Sequence, residues 1–364
     1  MSRVLKSSLI VIMDNTPKKA VIYTGIDYLR AFLSICVVVW HGHGFSETAF
    51  VLDQPALSKH TFSAADFINY HILLAAVPAF VLIACFLYAA KDRSMKYLGQ
   101  RLLYLCGLAL FWTVFQTIFL HGFGGLFALP PHSPKEAFVM VLTSGGTLYY
   151  FFISLCIMTM ITHFANKLSA PANIVLLLMA VAALMLLPFI AIHTNSPNLT
   201  IYWSPLNFIA YPFAAVSINR FHSSAPGKQY RWGILKIILI AVGTLIAVAE
   251  WKYLLNPIFL CGQKIALPVY ARTSVVIASI ILLLASLSIR LPSNPVIGFM
   301  SRYSMALYCL HMFCFPVIFS FPAVKSAWVG IILMIVLSYL IAIVLRLVIR
   351  DKYVLSPNHV IKNV

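Results

Sequence analysis

GIDYLRAFLSICVVVWHGHGF, residues 25–45, is an apolar stretch of membrane-crossing length that carries an arginine, Arg30, and a histidine, His41, within it. About twenty predominantly apolar residues cross a hydrocarbon core as an α-helix, and stretches of this kind recur from one end of the chain to the other. Windows of about nineteen residues give ten candidate helices, at 28–46, 69–90, 99–120, 147–165, 172–193, 201–220, 233–250, 271–289, 300–320 and 327–348. Composition agrees: 62% of the 364 residues are hydrophobic and 10% charged, where a soluble chain carries about 25% charged residues. Soluble-enzyme, DNA-binding and disordered readings are excluded. The fold expected is an all-α integral membrane protein, a bundle of about ten transmembrane helices forming one domain over 1–364, with a cytoplasmic leader 1–27 and a cytoplasmic tail 349–364.

Charge sets the expected orientation. Lysines and arginines number 26 against 9 acids, a net +17, and in a chain this apolar such a surplus marks loops that face the cytoplasm. Alternating the ten spans places 20 basic residues on the side of the termini and six on the other, the latter with Glu47, Asp53, Asp66, Glu136 and Glu250. Both termini are therefore expected in the cytoplasm. No basic stretch reads as a nucleic-acid surface. Six of the seven cysteines fall inside apolar runs and Cys261 stands alone in an outer loop, so no structural disulfide is expected. No set of metal ligands stands out.

Ionisable groups within a span cost roughly 2.5 to 3.5 kcal/mol at the helix centre and point to function. Arg30 and His41 are eleven residues apart, so on a helix they lie about 20° apart in azimuth and about 16 Å apart along the axis. One face thus presents a guanidinium at the inner mouth and an imidazole deep in the membrane. A guanidinium can hold the phosphates of a long anionic cofactor, while an imidazole away from water stays neutral and keeps a lone pair to act as a base. A topological anchor and a hydrogen-bonded packing histidine are the plainer alternatives for the two. Asp27, one turn before Arg30, can steer the guanidinium or serve as an ordinary first-turn acid. His43, two residues beyond His41, points to the opposite face and reads as interfacial.

The stretch SRYSMALYCLHMF opens the ninth span, where His311 follows Arg302 by nine residues, about 13 Å further along the axis, at a depth similar to that of His41. Arg101 falls within the apolar pattern YLGQRLLYLCGLALFW, after the basic loop of Lys91, Arg93 and Lys96. On the outer side Glu47, Asp66 and Glu250 can polarise a hydroxyl, and Tyr149, Tyr150, Tyr202, Trp203 and Trp251 can stack on sugar rings, although interfacial aromatics are usual in membrane proteins. Asn198-Leu199-Thr200 is a short sequon in an outer loop.

At these residues the chain resembles acyltransferase family 3, which includes bacterial polysaccharide O-acetyltransferases. The family signature, an Arg or Lys followed after ten residues by His in the first span and preceded by Asp, reads here as Asp27-Tyr28-Leu29-Arg30 through Trp40-His41. VPAFVLIACFLYAA is similar to the phenylalanine-rich second span, RLLYL at Arg101 to the basic start of the third, and GTLYYFFISL to the aromatic fourth. Ser304, Tyr308 and His311 match the late Ser, Tyr and His pattern. Ala84-Cys85 stand where the family usually has Ser-Gly, and Tyr149-Tyr150 where a Trp is common.

The resemblance implies a multi-pass protein of the bacterial inner membrane that takes an acyl group, acetyl above all, from cytosolic acetyl-CoA and places it on a hydroxyl of a cell-envelope or secreted glycan. Acyl-CoA is then a donor substrate rather than a bound cofactor, the acceptor is a glycan or lipid-linked oligosaccharide, and membrane lipids are the surroundings. Arg30, with Arg101, Arg302 and Asp27, would hold the donor. His41, with His311, would be catalytic, either as general base or as an acyl carrier. A transporter or flippase for a lipid-linked glycan is the rival class, since intramembrane His and Arg also serve carriers; the chain has no internal repeat and no acid in the span cores to support it.

Overall fold

Serine and asparagine start many of the helices, as their capping chemistry dictates. In the computed structural model, which describes residues 23–45, 63–91, 94–126, 133–196, 199–224, 229–255, 259–260, 262–264, 268–289 and 291–349, α1 spans Thr24–His41 and α2 spans Ala64–His71. Ser63 and Asp66 close a capping box at the start of α2; Asp66, expected among the acceptor-side acids, holds this helix end. A 3₁₀ turn, Leu73–Ala75, leads into α3, Ala76–Ala89. Ser94, Ser133 and Ser169 cap α4 (Met95–His121), α5 (Pro134–Leu142) and, after α6 (Tyr150–Ala165), α7 (Ala170–His193). Next come α8 (Ala210–Ser224), α9 (Gln229–Leu255) and a small antiparallel hairpin of β1 (Phe259–Leu260) with β2 (Gln263–Lys264). The chain then forms α10 (Thr273–Ser288), α11 (Pro295–Arg302, capped by Asn294), α12 (Ser304–Phe319) and α13 (Ala327–Ile349).

Helix occupies every one of the ten apolar stretches, but among the described residues five helical segments are long and apolar enough to cross a membrane by themselves: Ala64–Ala89, Met95–His121, Ala170–His193, Gly233–Tyr253 and Ala327–Leu347. A sixth appears if α11 and α12, bent by 65° at their junction, count as one. The other stretches differ for simple reasons. Asp27, Arg30 and His41 dilute the apolar run of α1, α6 and α10 are 16 residues each, and the stretch 201–220 begins with a 3₁₀ turn, Pro205–Phe208. At the α11–α12 break the Ser304 hydroxyl donates to the Ser301 carbonyl at 2.9 Å, and such side-chain competition for backbone carbonyls is a recognised cause of bends. Residues of the leader before 23, the tail beyond 349, Glu47, Asp53, Arg93, Cys261 and Asn198 lie outside the described residues.

Burial separates lipid-facing helices from central ones. The α2–α3 segment is 78% buried, whereas Gly233–Tyr253 in α9 is 6% buried and offers Ile237 and Leu245, 68% and 71% exposed, to its surroundings. Leu103, Leu178 and Leu347 do the same on α4, α7 and α13. So much exposed aliphatic surface belongs against lipid; the protein is an integral membrane protein. Helix α1 is central, packed by α3, α10, α11, α12 and α13. Two glycines let neighbours approach it. A Cβ on Gly25 would stand 1.9 Å from the Ser286 carbonyl oxygen on α10, and one on Gly42 would stand 2.3 Å from Ile331 Cγ1 on α13.

Most of the helices around α1 run antiparallel to it. At the N-terminal end of α1 lie the C-terminal ends of α3, α8 and α10, through Tyr23 against Phe86 and His222 and Gly25 against Ser286, with the start of α12. At its C-terminal end lie the Tyr70 ring beside Trp40 and the Trp328 ring beside Phe45. The two ends carry different chemistry.

Candidate active site

At one end of the bundle the groups are basic. The Arg30 guanidinium is 8% exposed and donates from Nη2 to Ser304 Oγ at 3.2 Å. One turn earlier, Asp27 accepts from Ser301 Oγ at 2.6 Å. Two residues of α1, three apart, are thus read by two serines of α11–α12, also three apart, and the helices lock in register. The charges of Asp27 and Arg101 both reach Arg30, and that of Arg101 reaches Lys91 as well. Arg346 Nη1 donates to the Tyr303 hydroxyl at 2.5 Å and its guanidinium lies 5.9 Å from that ring. Nearby, Arg220 donates to the carbonyls of Asn166 and Leu168 at 2.8 and 2.6 Å. A mouth gathered around Arg30, Arg101 and Lys91, with Asp27 to offset them, is suited to an anion, since guanidinium and ammonium groups both pair with phosphate.

Arg302 does not join that group. It is exposed on the last turn of α11, whereas its neighbour Ser301 is buried against Asp27.

The other end holds the histidines. His41 is the last residue of α1, 9% exposed, and its ring centre lies 5.1 Å from that of His311 on α12, which is fully buried. Depth alone suggested only similar levels; the fold brings the two together. His311 Nδ1 is 3.1 Å from the Leu307 carbonyl. A carbonyl only accepts, so the proton sits on Nδ1 and Nε2 is left as a lone-pair acceptor; among the described residues Nε2 has no hydrogen-bond partner. Tyr308, 6.1 Å from His311 ring to ring, is fixed by donating to the Leu148 carbonyl at 2.8 Å. Tyr149 donates to the Cys309 carbonyl at 3.0 Å. His43 lies past the helix end at φ 54°.

An acidic mouth partner, a buried guanidinium and a paired imidazole on one helix form an arrangement that can grip an anion at one end and move a proton or acyl group at the other. A family model matches residues 23–347, and it is that of an acyltransferase domain, acyltransferase family 3. The chain belongs to this family. No curated protein and no solved structure matches it.

The expected acceptor-side groups fare differently. Tyr149 and Tyr150, 0% and 2% exposed, are packed inside the bundle, with no open ring face for a sugar. Tyr202 is exposed and lies edge-on to Tyr150. Six cysteines are free thiols, with Cys106 and Cys156 sulfurs 3.7 Å apart. No cluster of metal-ligating residues occurs among the described residues. Sequence reading passed over Ser301, which had a usable signal: it and Ser304 repeat the i, i+3 spacing of Asp27 and Arg30. It also passed over His71, Arg272 and Ser274, discussed below.

Proposed function

We propose that this membrane acyltransferase moves an acetyl group from cytosolic acetyl-CoA to a hydroxyl of a cell-envelope or secreted glycan in a bacterial inner membrane. One observation carries the reading: a single helix holds Arg30 and Asp27, anchored on Ser304 and Ser301, at one end, and His41 beside His311 at the other. Arg30 and Arg101 contact the CoA phosphates at the inner mouth, with Asp27 positioning Arg30 and Arg302 adding long-range charge from the rim. The donor's extended arm carries its thioester along the α1 face toward His41.

At the reaction centre His41 takes the proton of the acceptor hydroxyl as that oxygen attacks the thioester carbonyl, and the departing CoA thiolate receives the proton. In the two-step variant His41 attacks first, releases CoA and passes the acyl group outward. When substrate is bound, the His311 Nε2 lone pair accepts a hydrogen bond from the His41 N–H, which fixes the His41 nitrogen that is left to take the hydroxyl proton. The test is purified protein in nanodiscs with [¹⁴C]acetyl-CoA and an envelope glycan fraction from a deletion strain. Label arriving on the glycan supports the reading; CoA left intact under all conditions refutes it, and transport of unmodified glycan would favour the flippase.

A further inference from the structure

A second polar cluster is buried at the His41 end, outside the groups so far used. It joins three elements: His71 ends α2, Glu250 lies in the last turns of α9, and Arg272 and Ser274 begin α10. Glu250 accepts from the Ser274 backbone N–H at 3.1 Å and also from the Ser274 hydroxyl. Arg272 donates to the Tyr70 carbonyl, and its Nη1 lies 4.0 Å from Glu250. His71 Nδ1 is 3.3 Å from Ser274 Oγ.

These contacts fix the proton positions. The Ser274 proton goes to Glu250, so Ser274 Oγ can only accept from His71, whose proton is therefore on Nδ1. His71 Nε2 is left as an acceptor. Among the described residues it has no hydrogen-bond partner, nor do Arg272 Nε and Nη1, although His71 is 7% and Arg272 3% exposed. A lone-pair nitrogen beside unspent N–H donors fits a group that offers one hydroxyl and one acceptor oxygen side by side, as a hexopyranose does along its edge. An apolar wall adjoins it. The Trp251 ring lies 6.0 Å from His71 and 5.7 Å from Phe67, and Phe67 lies 4.6 Å from His71. Behind it the ring contacts continue within the core through Tyr70, which is fully buried and 6.5 Å from Trp251, to Trp40, 6.2 Å from Tyr70 and next to His41 in sequence.

We propose that the His71–Glu250–Arg272–Ser274 cluster with Trp251 is a sugar-binding subsite, holding a hexopyranose of the acceptor glycan so that a hydroxyl reaches His41. This rests on the acyltransferase reading above and names the acceptor side of that site. A sugar hydroxyl donates to His71 Nε2, a neighbouring oxygen accepts from Arg272, and the sugar's apolar face lies on Trp251. Glu250 offsets the Arg272 charge and holds Ser274 in the orientation that sets His71.

The test compares wild type with His71→Phe, which keeps the ring packing and removes the acceptor, and Trp251→Ala, at a half-buried position, after thermal unfolding has shown each to be folded. In nanodiscs with acetyl-CoA and the deletion-strain glycan, both variants should raise KM for glycan at least tenfold while kcat and KM for acetyl-CoA stay within twofold. In parallel, methyl hexopyranosides at millimolar concentration should change tryptophan emission of the wild type without acetyl-CoA present, and lose that effect in both variants. An unchanged glycan KM, a loss confined to kcat, or wild-type emission indifferent to every hexoside overturns the subsite. Were the wild type to transfer no acetyl, the emission arm would still decide whether the cluster binds sugar, so the two failures read apart.

Discussion

Arg30 sits where its removal separates donor binding from folding. Its bond to Ser304 is to a neutral hydroxyl, whereas a phosphate contact would be charge-assisted and is worth about 1.5 to 3 kcal/mol. Arg30→Ala should therefore weaken acetyl-CoA binding about ten- to hundredfold with the unfolding temperature little changed, and Arg30→Lys should recover part, since it keeps the charge without the planar fork. Titration calorimetry with CoA checks this; equal affinity in all three proteins would leave Arg30 a topological anchor. Ser304→Ala should show the reverse pattern, a loss of about 0.5 to 1.5 kcal/mol of stability with CoA affinity nearly retained. The alignment of Arg30 with His41 was legible from spacing alone because α1 is an uninterrupted helix. The meeting of His41 with His311 was not, since helical periodicity reports depth within one helix and says nothing of which helices are neighbours. The His71 cluster was hidden for the same reason: its four members come from three elements, with His71 more than 170 residues before Glu250, Arg272 and Ser274 in sequence, and only Glu250 and Trp251 had a surface-side rationale.

Helix α1 owes its central place to close contacts that glycines permit. Gly25→Ala should destabilise the fold by about 1 to 3 kcal/mol, the usual cost of forced overpacking, because its Cβ would press on the Ser286 backbone, which has little freedom to yield. Gly99→Ala in α4 makes the contrast: nothing lies within 4 Å of its Cβ, and alanine's better helix propensity should add about 0.4 to 1 kcal/mol. Thermal unfolding in detergent measures both; a Gly25→Ala protein as stable as the parent would mean that α1 and α10 are less tightly apposed than the structure has them. Element type was readable throughout from hydropathy, while the bounds moved by several residues wherever a cap decided them, as Ser94 starts α4 at Met95 rather than at 99. The breaks at Leu73–Ala75 and at Tyr303 escaped notice because no proline or glycine marks them, and a serine hydroxyl bonding to a carbonyl three residues back leaves no trace in hydropathy.

For the whole molecule, charge asymmetry and the division of α1 into two ends make one joint claim, that the Arg30 end faces the cytoplasm. Reporter fusions after Lys362 and within 91–96 should report cytoplasm, and those within 54–63 and 133–136 the outside. A C-terminus outside would put Arg30 at the wrong surface for a cytosolic donor. The central claim, that His41 performs the transfer, is tested most directly by acetyl transfer from [¹⁴C]acetyl-CoA in His41→Ala, His43→Ala and His311→Ala proteins, each with its CoA affinity measured alongside. Transfer should vanish in His41→Ala with CoA affinity intact, fall partway in His311→Ala and survive in His43→Ala; retained turnover in His41→Ala, or equal loss in His43→Ala, would contradict it.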